Sequence, residues 1–402
     1  MRCRSPSFCT MADKYIIQKF GGTSLATAEQ RKQVARCISG ALKAGKRPII
    51  VVSAPGRLGQ PYATDSLLAL VDQSQSPIAP RDRDLLISCG EIVSAVLIAH
   101  ELQILGHKAM ALTGAQAGIV TDNNHGNATV KHVCLDPLST LLQYGITPVV
   151  AGFQGKADSG DVVTFSRGGG DTTAAVLGVA FDCEYIEIFT DVHGLFSADP
   201  RVVKTAKLIG EVNYTEAAEL AAEGARIMHP HAVDIAQGRG VPICISSPGD
   251  ASHGTIIHQI NHHRPITGIT AKSDIIAVTI PAAASSSQLF DALAQAQISA
   301  DFITVTADSI SFVTEASCDE ALSTVLKNLK LDFTLRRDVA KVSLIGTGMT
   351  GIPGVMAAVV AVLQDAGIQL LLVTDSHTTI SCLIDQKHRE TAVHLLHQRF
   401  CE

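Results

Sequence analysis

The sequence predicts an α/β protein in which a central, mostly parallel sheet covered by helices is followed by two small α+β units. Strand-length apolar runs alternate with helix-length amphipathic segments between residues 15 and 105, which is typical of parallel sheets with helical crossovers. Beyond about residue 265 a β-α-β-β-α pattern occurs twice in succession. Hydrophobic residues make up 46% and charged residues 17% of the 402 residues, which is enough for several buried cores.

In the first part of the chain, the predicted order is strand, helix, strand, helix and then three further strands. These elements cover residues 15–17, 27–44, 49–53, 82–105, 108–112, 147–152 and 185–190. The strands are rich in β-branched and apolar residues. Because the last three end at or beside Gly, Asp or Thr, we expect polar loops at the carboxyl ends of the strands, where such sheets bind ligands.

A turn-rich stretch, residues 245–250, closes the last α/β unit. The first repeat is predicted over residues 277–280, 287–296, 302–306, 310–314 and 319–329, and the second over residues 340–345, 354–365, 370–374, 379–384 and 390–400. The predicted domains are a disordered extension at residues 1–12, a first domain at 13–255, and the two repeats at 265–335 and 336–402. Met11 is an alternative start of translation.

Charge and composition exclude several classes of function. The net charge is −6 and no basic run is longer than a few residues, so we expect no nucleic-acid partner. No apolar run reaches the roughly 18 to 20 residues of a membrane helix, and residues 1–10 lack the apolar segment of a signal peptide. The ten cysteines are scattered without a CxxC pair, so we expect reduced, mostly buried thiols, no metal site and a cytoplasmic protein.

The first strand runs directly into Lys19-Phe20-Gly21-Gly22-Thr23-Ser24. A lysine at a strand end beside paired glycines supplies a mobile positive charge and exposed backbone N–H groups, which together suit a phosphate. On its own, such a segment is more often a simple turn.

A second cluster, Ser166-Arg167-Gly168-Gly169-Gly170-Asp171, places three glycines between an arginine and an aspartate. Arg can bind a carboxylate through two hydrogen bonds, glycines allow close backbone approach, and Asp can orient a lysine or a magnesium-bound water. An Asp helix cap in a glycine turn explains Asp171 but leaves Arg167 without a role.

Two further loops carry weaker signals. Residues 189–201 start at a strand end and form a long polar loop that could hold adenine and ribose, although an Asp-Pro turn is the commoner interpretation. Residues 346–354 form a Gly/Pro loop between a strand and a helix, where a ligand carboxylate could meet the helix N-terminus. A plain tight turn explains that loop slightly better.

In this order the motifs resemble those of the aspartate kinases of the amino acid kinase superfamily, and the two C-terminal repeats resemble that family's paired ACT domains. The segments that carry the resemblance are residues 19–24, 51–54, 62–65, 88–91, 112–118, 152–155, 167–174, 190–201 and 224–230. The resemblance implies an amino acid kinase fold followed by two ferredoxin-like ACT domains. It also implies an enzyme that uses ATP and Mg²⁺ to phosphorylate the β-carboxylate of L-aspartate, the first step toward diaminopimelate, lysine, threonine and methionine.

The same resemblance implies roles for individual residues. Lys19 and Asp171 would be catalytic, with Asp171 organising Lys19. The residues implied for aspartate are Thr64, Glu91, Arg167, Gly168, Gly169 and Gly170. Those implied for nucleotide are Lys19, Phe20, Gly21, Gly22, Ser53, Thr190, Asp191, Phe196, Arg201 and Arg226. Those implied for an amino-acid effector are Met349, Ile352, Pro353, Gly354, Asp375, Ser376, His377 and Thr378.

Residues 374–380 and the end of the chain soon after them look most like the short aspartokinases of Gram-positive spore formers. Some of that group respond to meso-diaminopimelate, so the implied effector is meso-diaminopimelate, lysine or threonine. Pairing of ACT domains across chains implies a homodimer or larger homo-oligomer.

Two positions depart from the family pattern. The family usually has Ser where this chain has Gly170, and the lost hydroxyl is expected to weaken aspartate binding by about 1 kcal/mol unless a water replaces it. The family usually has Lys where this chain has Arg226, which keeps the charge with a different geometry.

Two alternatives remain open on the sequence. One is a related kinase of glutamate or N-acetylglutamate, against which the paired C-terminal repeats argue. The other is a catalytically weakened amino-acid sensor, or a regulatory partner of an active paralogue, which the two departures would favour. The presence of Lys19, Glu91, Arg167 and Asp171 argues for an enzyme.

Overall fold

The structure, a computed structural model, describes residues 15–71, 78–225, 227–248, 250–261, 264–281, 286–349 and 352–402. The predicted extension at residues 1–12 lies outside these ranges. The chain divides into two compact units. The first unit comprises Met1–Leu195, Leu208–Ala218 and Arg226–Asn261, and the second comprises Phe196–Lys207, Glu219–Ala225 and His262–Glu402.

The first unit is built from strands and helices in alternation. Its strands are β1 (Tyr15–Phe20), β2 (Arg47–Val52), β3 (Ala109–Leu112), β4 (Ile119–Thr121), β5 (Val130–Val133), β6 (Thr147–Ala151), β7 (Gln154–Lys156), β8 (Val162–Thr164), β9 (Tyr185–Phe189), β10 (Glu211–Val212), β11 (Ile243–Ser247) and β12 (Asp250–Ile257). Its helices are α1 (Ala28–Lys43), α2 (Thr64–Leu68), α3 (Pro80–Ile104), α4 (Asp136–Gln143), α5 (Gly169–Ala180), α6 (Tyr214–Leu220), whose last two residues fall in the second unit, and α7 (Pro230–Gln237).

The main sheet has eight strands in the order β10-β12-β11-β9-β1-β2-β6-β3. All neighbouring pairs are parallel except β11 and β12. The central strands β1 and β2 are almost completely buried, as expected for strands that helices cover on both faces. The mostly parallel sheet that the sequence predicted is therefore present, and β1 and β9 place residues 19–24 and 190–191 at the same edge.

Helix α1 begins with a capping box. The Thr27 hydroxyl accepts the Gln30 backbone N–H at 3.3 Å, and the Gln30 side chain accepts the Thr27 N–H at 2.9 Å. Two of the backbone donors that a helix start leaves free are thereby satisfied. The helix buries Val34, Ala35 and Ile38 against the sheet, which fixes the glycine turn just before it.

Helix α3 is, among the described residues, the one helix long and apolar enough to cross a membrane by length and composition. Half of that apolar window is buried inside the protein. The helix packs against β3 and β6 and buries two carboxylates, Asp84 and Glu91, with its apolar side chains. A core helix of a globular protein meets the same criteria.

A second sheet, in the order β5-β4-β7-β8, was not predicted from the sequence. It is anchored to α3 through the buried Asp84, whose carboxylate accepts the Thr164 hydroxyl at 2.6 Å and the Thr164 N–H at 3.0 Å. Because β8 ends at Thr164, this anchor fixes the start of the glycine-rich segment that leads into α5.

The second unit contains two four-stranded antiparallel sheets, each with two helices. Its strands are β13 (Gly268–Lys272), β14 (Ile275–Pro281), β15 (Asp301–Val305), β16 (Ser309–Glu315), β17 (Thr334–Arg336), β18 (Val339–Ile345), β19 (Leu372–Asp375) and β20 (Thr379–Asp385). Its helices are α8 (Ser286–Gln295), α9 (Asp319–Asn328), α10 (Val355–Asp365) and α11 (Arg389–Phe400). The strand orders are β15-β16-β14-β17 and β13-β18-β20-β19.

Each sheet of the second unit contains the three strands of one β-α-β-β-α repeat and a fourth strand that the sequence did not predict. Strand β17 joins the first repeat, whereas β13, which precedes the first repeat in the chain, pairs with β18 of the second. Apolar side chains of both sheets, including Phe302, Val339 and Leu383, form a shared cluster.

Two segments that the sequence placed inside the first domain pack in the second unit. In residues 196–207, Ala198 and Val203 are buried in the core of the second repeat. In residues 219–225, the Glu223 carboxylate accepts hydrogen bonds from Lys341 at 2.8 Å and from the Ser343 hydroxyl at 2.6 Å. Lys341 is almost completely buried, so these contacts satisfy a charge inside the unit.

The eight cysteines among the described residues are free thiols, but the expectation that most are buried is wrong. Only Cys183 and Cys382 are buried, and Cys89 and Cys134 are exposed. Burial raises the pKa of the Cys183 and Cys382 thiols to about 12, so these two remain protonated and unreactive at neutral pH.

Candidate active site

The Lys19 ammonium and the Asp171 carboxylate form an ion pair at the carboxyl end of β1. Nζ lies 2.7 Å from Oδ1, and the side chains are only 13% and 10% exposed. Asp171 lies in the first turn of α5, where the helix dipole favours a negative charge. The two residues predicted to be catalytic are therefore in direct contact, although 152 positions separate them in the sequence.

The turn that follows β1 requires glycine at position 22. A Cβ atom there would lie 2.4 Å from the Ala54 carbonyl oxygen. The Gly21 N–H donates to the Phe189 carbonyl at 3.3 Å, whereas the Gly22 N–H has no acceptor within the described chain. The turn can thus offer one backbone donor beside the lysine, as a phosphate-binding loop does.

The N-terminus of α5 is packed so closely that it needs its glycines. Gly168 has φ +84°, and a Cβ atom there would lie 2.4 Å from the His229 side chain. A Cβ at Gly169 would lie 2.5 Å from the Phe153 ring. The glycines therefore let the start of α5 pack directly against the His229 and Phe153 side chains.

His229 is a residue of the site that sequence reasoning did not single out. Its backbone N–H donates to Asp171 Oδ2 at 3.1 Å, whereas Oδ1 forms the ion pair with Lys19 and accepts no hydrogen bond from the described residues. Burial lowers the pKa of the imidazole, and Nδ1 is buried without a hydrogen bond. The only sequence signal was its place in residues 224–230, one of the segments that carry the family resemblance.

Glu91 is buried in α3 with one carboxylate oxygen unsatisfied. Oε1 accepts the Ala54 N–H at 3.1 Å, and Oε2 has no partner. Burial raises the pKa of Glu91 to about 8. A cationic ligand placed at Oε2 would stabilise the ionised form, so this carboxylate can select a ligand that carries an ammonium group.

The remaining residues predicted to bind aspartate differ in their surroundings. Arg167 is exposed and forms no ion pair within the described chain, so its guanidinium is available to a carboxylate. Thr64 is the first residue of α2 and is half-buried. At Gly170, a Cβ atom would lie 2.8 Å from the Ser53 hydroxyl and 3.3 Å from Lys19 Cε.

The residues predicted to bind nucleotide are divided between the two units. Thr190 and Asp191 follow β9 and line a cleft of about 210 Å³ with Thr23, Ser24 and Ser247. Phe196 and Arg201 belong to the second unit, where the Arg201 guanidinium lies 2.7 Å from Asp199. Arg226 lies outside the described residues.

Matches to known proteins extend over nearly the whole chain. Residues 14–247 match the amino acid kinase family and residues 334–398 match the ACT domain. Aspartokinase 1 of Bacillus subtilis (strain 168) is 42% identical over 401 residues, which cover 96% of this chain and 99% of that protein. The chain belongs to the aspartokinase family. The resemblance and the fold class inferred from the sequence are thereby confirmed.

Solved structures of an aspartokinase have the same fold. Escherichia coli aspartokinase III in complex with aspartate and ADP, in the R-state, superimposes with a TM-score of 0.79 at 24% identity over 97% of this chain and 100% of that chain. The same protein in complex with lysine and aspartate, in the T-state, gives a TM-score of 0.77 at 24% identity over 96% and 99%. At this identity the likeness concerns the fold alone.

In this member of the aspartokinase family, the two loops predicted to bind an effector are adjacent. The Gly346 N–H donates to the Thr378 carbonyl at 2.9 Å. Met349 is buried, Ile352 is exposed, and Gly354 caps α10 in a left-handed conformation. The Ser376 hydroxyl accepts the backbone N–H groups of residues 378 and 379. Pro353, Asp375 and His377 lie in the same two segments, and residues 350 and 351 lie outside the described chain.

Proposed function

We propose that this chain transfers the γ-phosphoryl group of ATP to the β-carboxylate of L-aspartate and releases ADP and 4-phospho-L-aspartate. The observation that carries this proposal is the buried Lys19–Asp171 ion pair between the glycine turn after β1 and the N-terminus of α5. Such a pair places a fixed positive charge among backbone donors, which suits a transferring phosphoryl group.

In this reaction an oxygen of the β-carboxylate attacks the γ-phosphorus as the bond to the bridging oxygen of ADP breaks. The attacking carboxylate is already ionised, so no general base is required. Lys19 would neutralise the charge on the phosphoryl oxygens, and the Gly22 N–H would donate to them. Asp171, held by the His229 N–H, keeps the Lys19 ammonium in place. The protein's contribution is positioning and charge stabilisation.

Glu91 and Arg167 would orient the amino acid. The unsatisfied Glu91 oxygen would accept the substrate ammonium, and the Arg167 guanidinium would bind the α-carboxylate. Glutamate is one methylene longer, so with both ends fixed in this way its γ-carboxylate would miss the phosphoryl group. Thr64 and the backbone of Gly168, Gly169 and Gly170 would line the same space.

Magnesium would enter with the nucleotide. The described residues include no group of three or more His, Cys, Asp or Glu side chains placed to hold a metal. Mg²⁺ commonly keeps several waters and binds substrate phosphates with only one or two carboxylates, so it requires no such group of protein side chains. When bound, the ion would neutralise charge on the ATP phosphates.

The nucleotide would contact Thr190 and Asp191 and, by family resemblance, Phe20, Ser53, Phe196, Arg201 and Arg226.

We further propose that an amino-acid effector, meso-diaminopimelate, lysine or threonine, binds the loops at residues 346–354 and 375–379. Their adjacency and the backbone donors at the start of α10 support this assignment. We also propose that the protein forms a homodimer or larger homo-oligomer in the cytoplasm. Its reaction would belong to the pathway to diaminopimelate, lysine, threonine and methionine.

Trapping of the acyl phosphate with hydroxylamine tests the activity directly. Purified protein with ATP and Mg²⁺ should form hydroxamate with aspartate and none with glutamate. Addition of meso-diaminopimelate, lysine or threonine, one at a time, should identify the effector as the compound that suppresses the product. No product from either amino acid would contradict the proposal and favour a role as an amino-acid sensor.

A further inference from the structure

Helix α3 makes polar contacts with strands β7 and β8 along the same face that carries Glu91. Asp84, Ser88 and Glu91 are all buried, and their spacing of four and three positions places them on one side of the helix. The Thr164 hydroxyl on β8 donates to Asp84 Oδ1 at 2.6 Å. The Gln154 side-chain amide on β7 donates to the Ser88 carbonyl at 3.1 Å. Because a helix rises about 1.5 Å per residue, roughly 10 Å of rigid helix separates Asp84 from Glu91.

Asp84 holds several parts of the chain through one completely buried carboxylate. Besides the hydroxyl at Oδ1, the Thr164 and Gly126 N–H groups each donate to Oδ2 at 3.0 Å. His125 Nδ1 lies 2.9 Å from the same oxygen. Hydrogen bonds to a buried carboxylate are strong, and losing one leaves a charge poorly satisfied. Strand β8 therefore has a fixed position along α3.

The Gly-rich segment with Arg167 continues directly from this anchor. Thr164 is the last residue of β8, and the next N–H, that of Phe165, donates to the Phe153 carbonyl at 2.9 Å. The backbone is thus fixed up to two residues before the exposed Arg167. Glu91 lies on the same helix as Asp84, so α3 determines where both Glu91 and the start of the Arg167 segment lie.

We propose that Asp84 and Thr164 are positioning residues for recognition of the amino-acid substrate, because together they set the spacing between Glu91 and Arg167. This inference rests on the proposed function, in which Glu91 accepts the substrate ammonium and Arg167 binds the α-carboxylate. The action of the anchor is indirect: it holds two groups that bind the substrate, and no proton moves through it. Binding by two charged groups depends on their fixed geometry.

Thr164→Val tests the anchor with little change in side-chain shape. It takes the hydroxyl donor away from Asp84 Oδ1 and keeps the backbone N–H bond to Oδ2. KM for aspartate, and Kd for aspartate by isothermal titration calorimetry, should rise about tenfold. KM for ATP and kcat should change by less than about twofold, because the loss concerns binding of the amino acid. Thr164→Ser keeps the hydroxyl and should keep KM for aspartate low.

Thr121→Val is the matched control. Thr121 is also completely buried, lies in β4 of the same sheet, and donates its hydroxyl to the Asp122 carbonyl at 3.0 Å. This variant should show a similar loss in thermal unfolding and an unchanged KM for aspartate. If Thr164→Val does not fold, His125→Ala, which removes one contact to Asp84 Oδ2, should still raise KM for aspartate about threefold.

Three results would overturn the inference. They are an unchanged Kd for aspartate in Thr164→Val or, if that variant does not fold, in His125→Ala; an equal rise of KM in Thr121→Val; and a high KM in Thr164→Ser. Absence of aspartyl phosphate with the unsubstituted protein would instead refute the proposed activity, and the calorimetric Kd would still test the positioning.

Discussion

At the scale of single residues, the site depends on charges that are shielded from water. Lys19 and Asp171 are nearly buried and satisfy one another, and the His229 N–H completes the surroundings of Asp171. A buried charge without its partner is costly, so each of the two side chains also holds the other in place.

Lys19→Ala should lower kcat for aspartyl phosphate formation by at least about a hundredfold, because one positioned charge next to the reacting group is lost. The matched control is Lys46→Ala, which removes a lysine paired with Glu184 away from the site and should leave kcat unchanged. Circular dichroism should show both variants folded. Activity of Lys19→Ala near that of the unsubstituted protein would rule out the assigned role.

Glu91 predicts an unusual dependence of stability on pH. Burial raises its pKa to about 8 from an ordinary value of 4.5. Between pH 4.5 and 8 the unfolded chain has released a proton that the folded chain keeps, so this residue makes the free energy of unfolding fall as pH rises through that window. Glu91→Gln removes the effect. Its stability relative to the unsubstituted protein should therefore increase from pH 5 to pH 8.

Urea unfolding of both proteins at pH 5, 6, 7 and 8 measures this difference. Parallel curves for the two proteins would show that Glu91 does not titrate in this range. Saturating aspartate should reduce the difference, because a bound ammonium stabilises the ionised carboxylate.

The family resemblance predicted the contact of Asp171 with Lys19 but not the contact of Asp171 with His229. Lys19 and Asp171 were singled out by residue type and by family resemblance, and Glu91 by the resemblance alone. The bond from His229 to Asp171 joins residues 58 positions apart through a backbone N–H, and any residue except proline could provide it. Side-chain identity therefore carried no signal for that contact.

At the scale of secondary structure elements, the start of α5 positions Asp171, the aspartate proposed to be catalytic. Gly168 combines a left-handed backbone with a space that the His229 side chain fills. Either feature alone disfavours a larger residue, so the helix start tolerates no simple substitution there.

Gly168→Ala should destabilise the protein by more than about 1 kcal/mol, the cost of a left-handed alanine, because the clash with His229 adds to the strain. Gly160→Ala provides the control: Gly160 has φ +92° but a Cβ atom there has no neighbour within 4 Å. Thermal unfolding should show the larger loss for Gly168→Ala, and kcat should fall only in that variant. Equal losses in stability would mean that contact with His229 does not matter.

Long elements with clear apolar patterns were predicted well, whereas the strands of three residues and the eight-residue strand β12 were not. Helix α3 and strand β18 carry clear apolar patterns over many residues. Strands β7, β8 and β17 have three residues each, too few for a period to be recognised. Strand β13 is long enough, but its partner β18 lies about seventy residues later, and pairing across such a distance leaves no local pattern.

At the scale of the whole molecule, the boundary predicted near residues 250–265 does not separate the two units cleanly. Residues 196–207 and 219–225 pack in the second unit. Their sequences look like ordinary loop and helix of an α/β domain, because burial of Ala198 or Val203 against distant strands has no signature in the local pattern.

A chain that ends at Asn261 should consequently expose Ala198 and Val203, which are buried in the complete protein, and should aggregate or bind a hydrophobic dye. Size-exclusion chromatography and dye fluorescence measure this. Co-expression of residues 262–402 as a separate chain should restore a monodisperse product. If the shortened chain is monodisperse by itself, residues 262–402 are not needed to cover the apolar side chains of Ala198 and Val203.

The interleaving of the two units also limits how a gene for such a protein can recombine. A crossover near the codon for residue 262 would join the regulatory half of one parent to residues 196–207 and 219–225 of another. The pairs Ser197–His397, at 2.8 Å, and Glu223–Lys341 would then come from different parents. Exchanges that carry residues 196–225 together with the C-terminal part would keep both partners of each pair from one parent. Selection should therefore retain such recombinants more often than recombinants that exchange the C-terminal part alone.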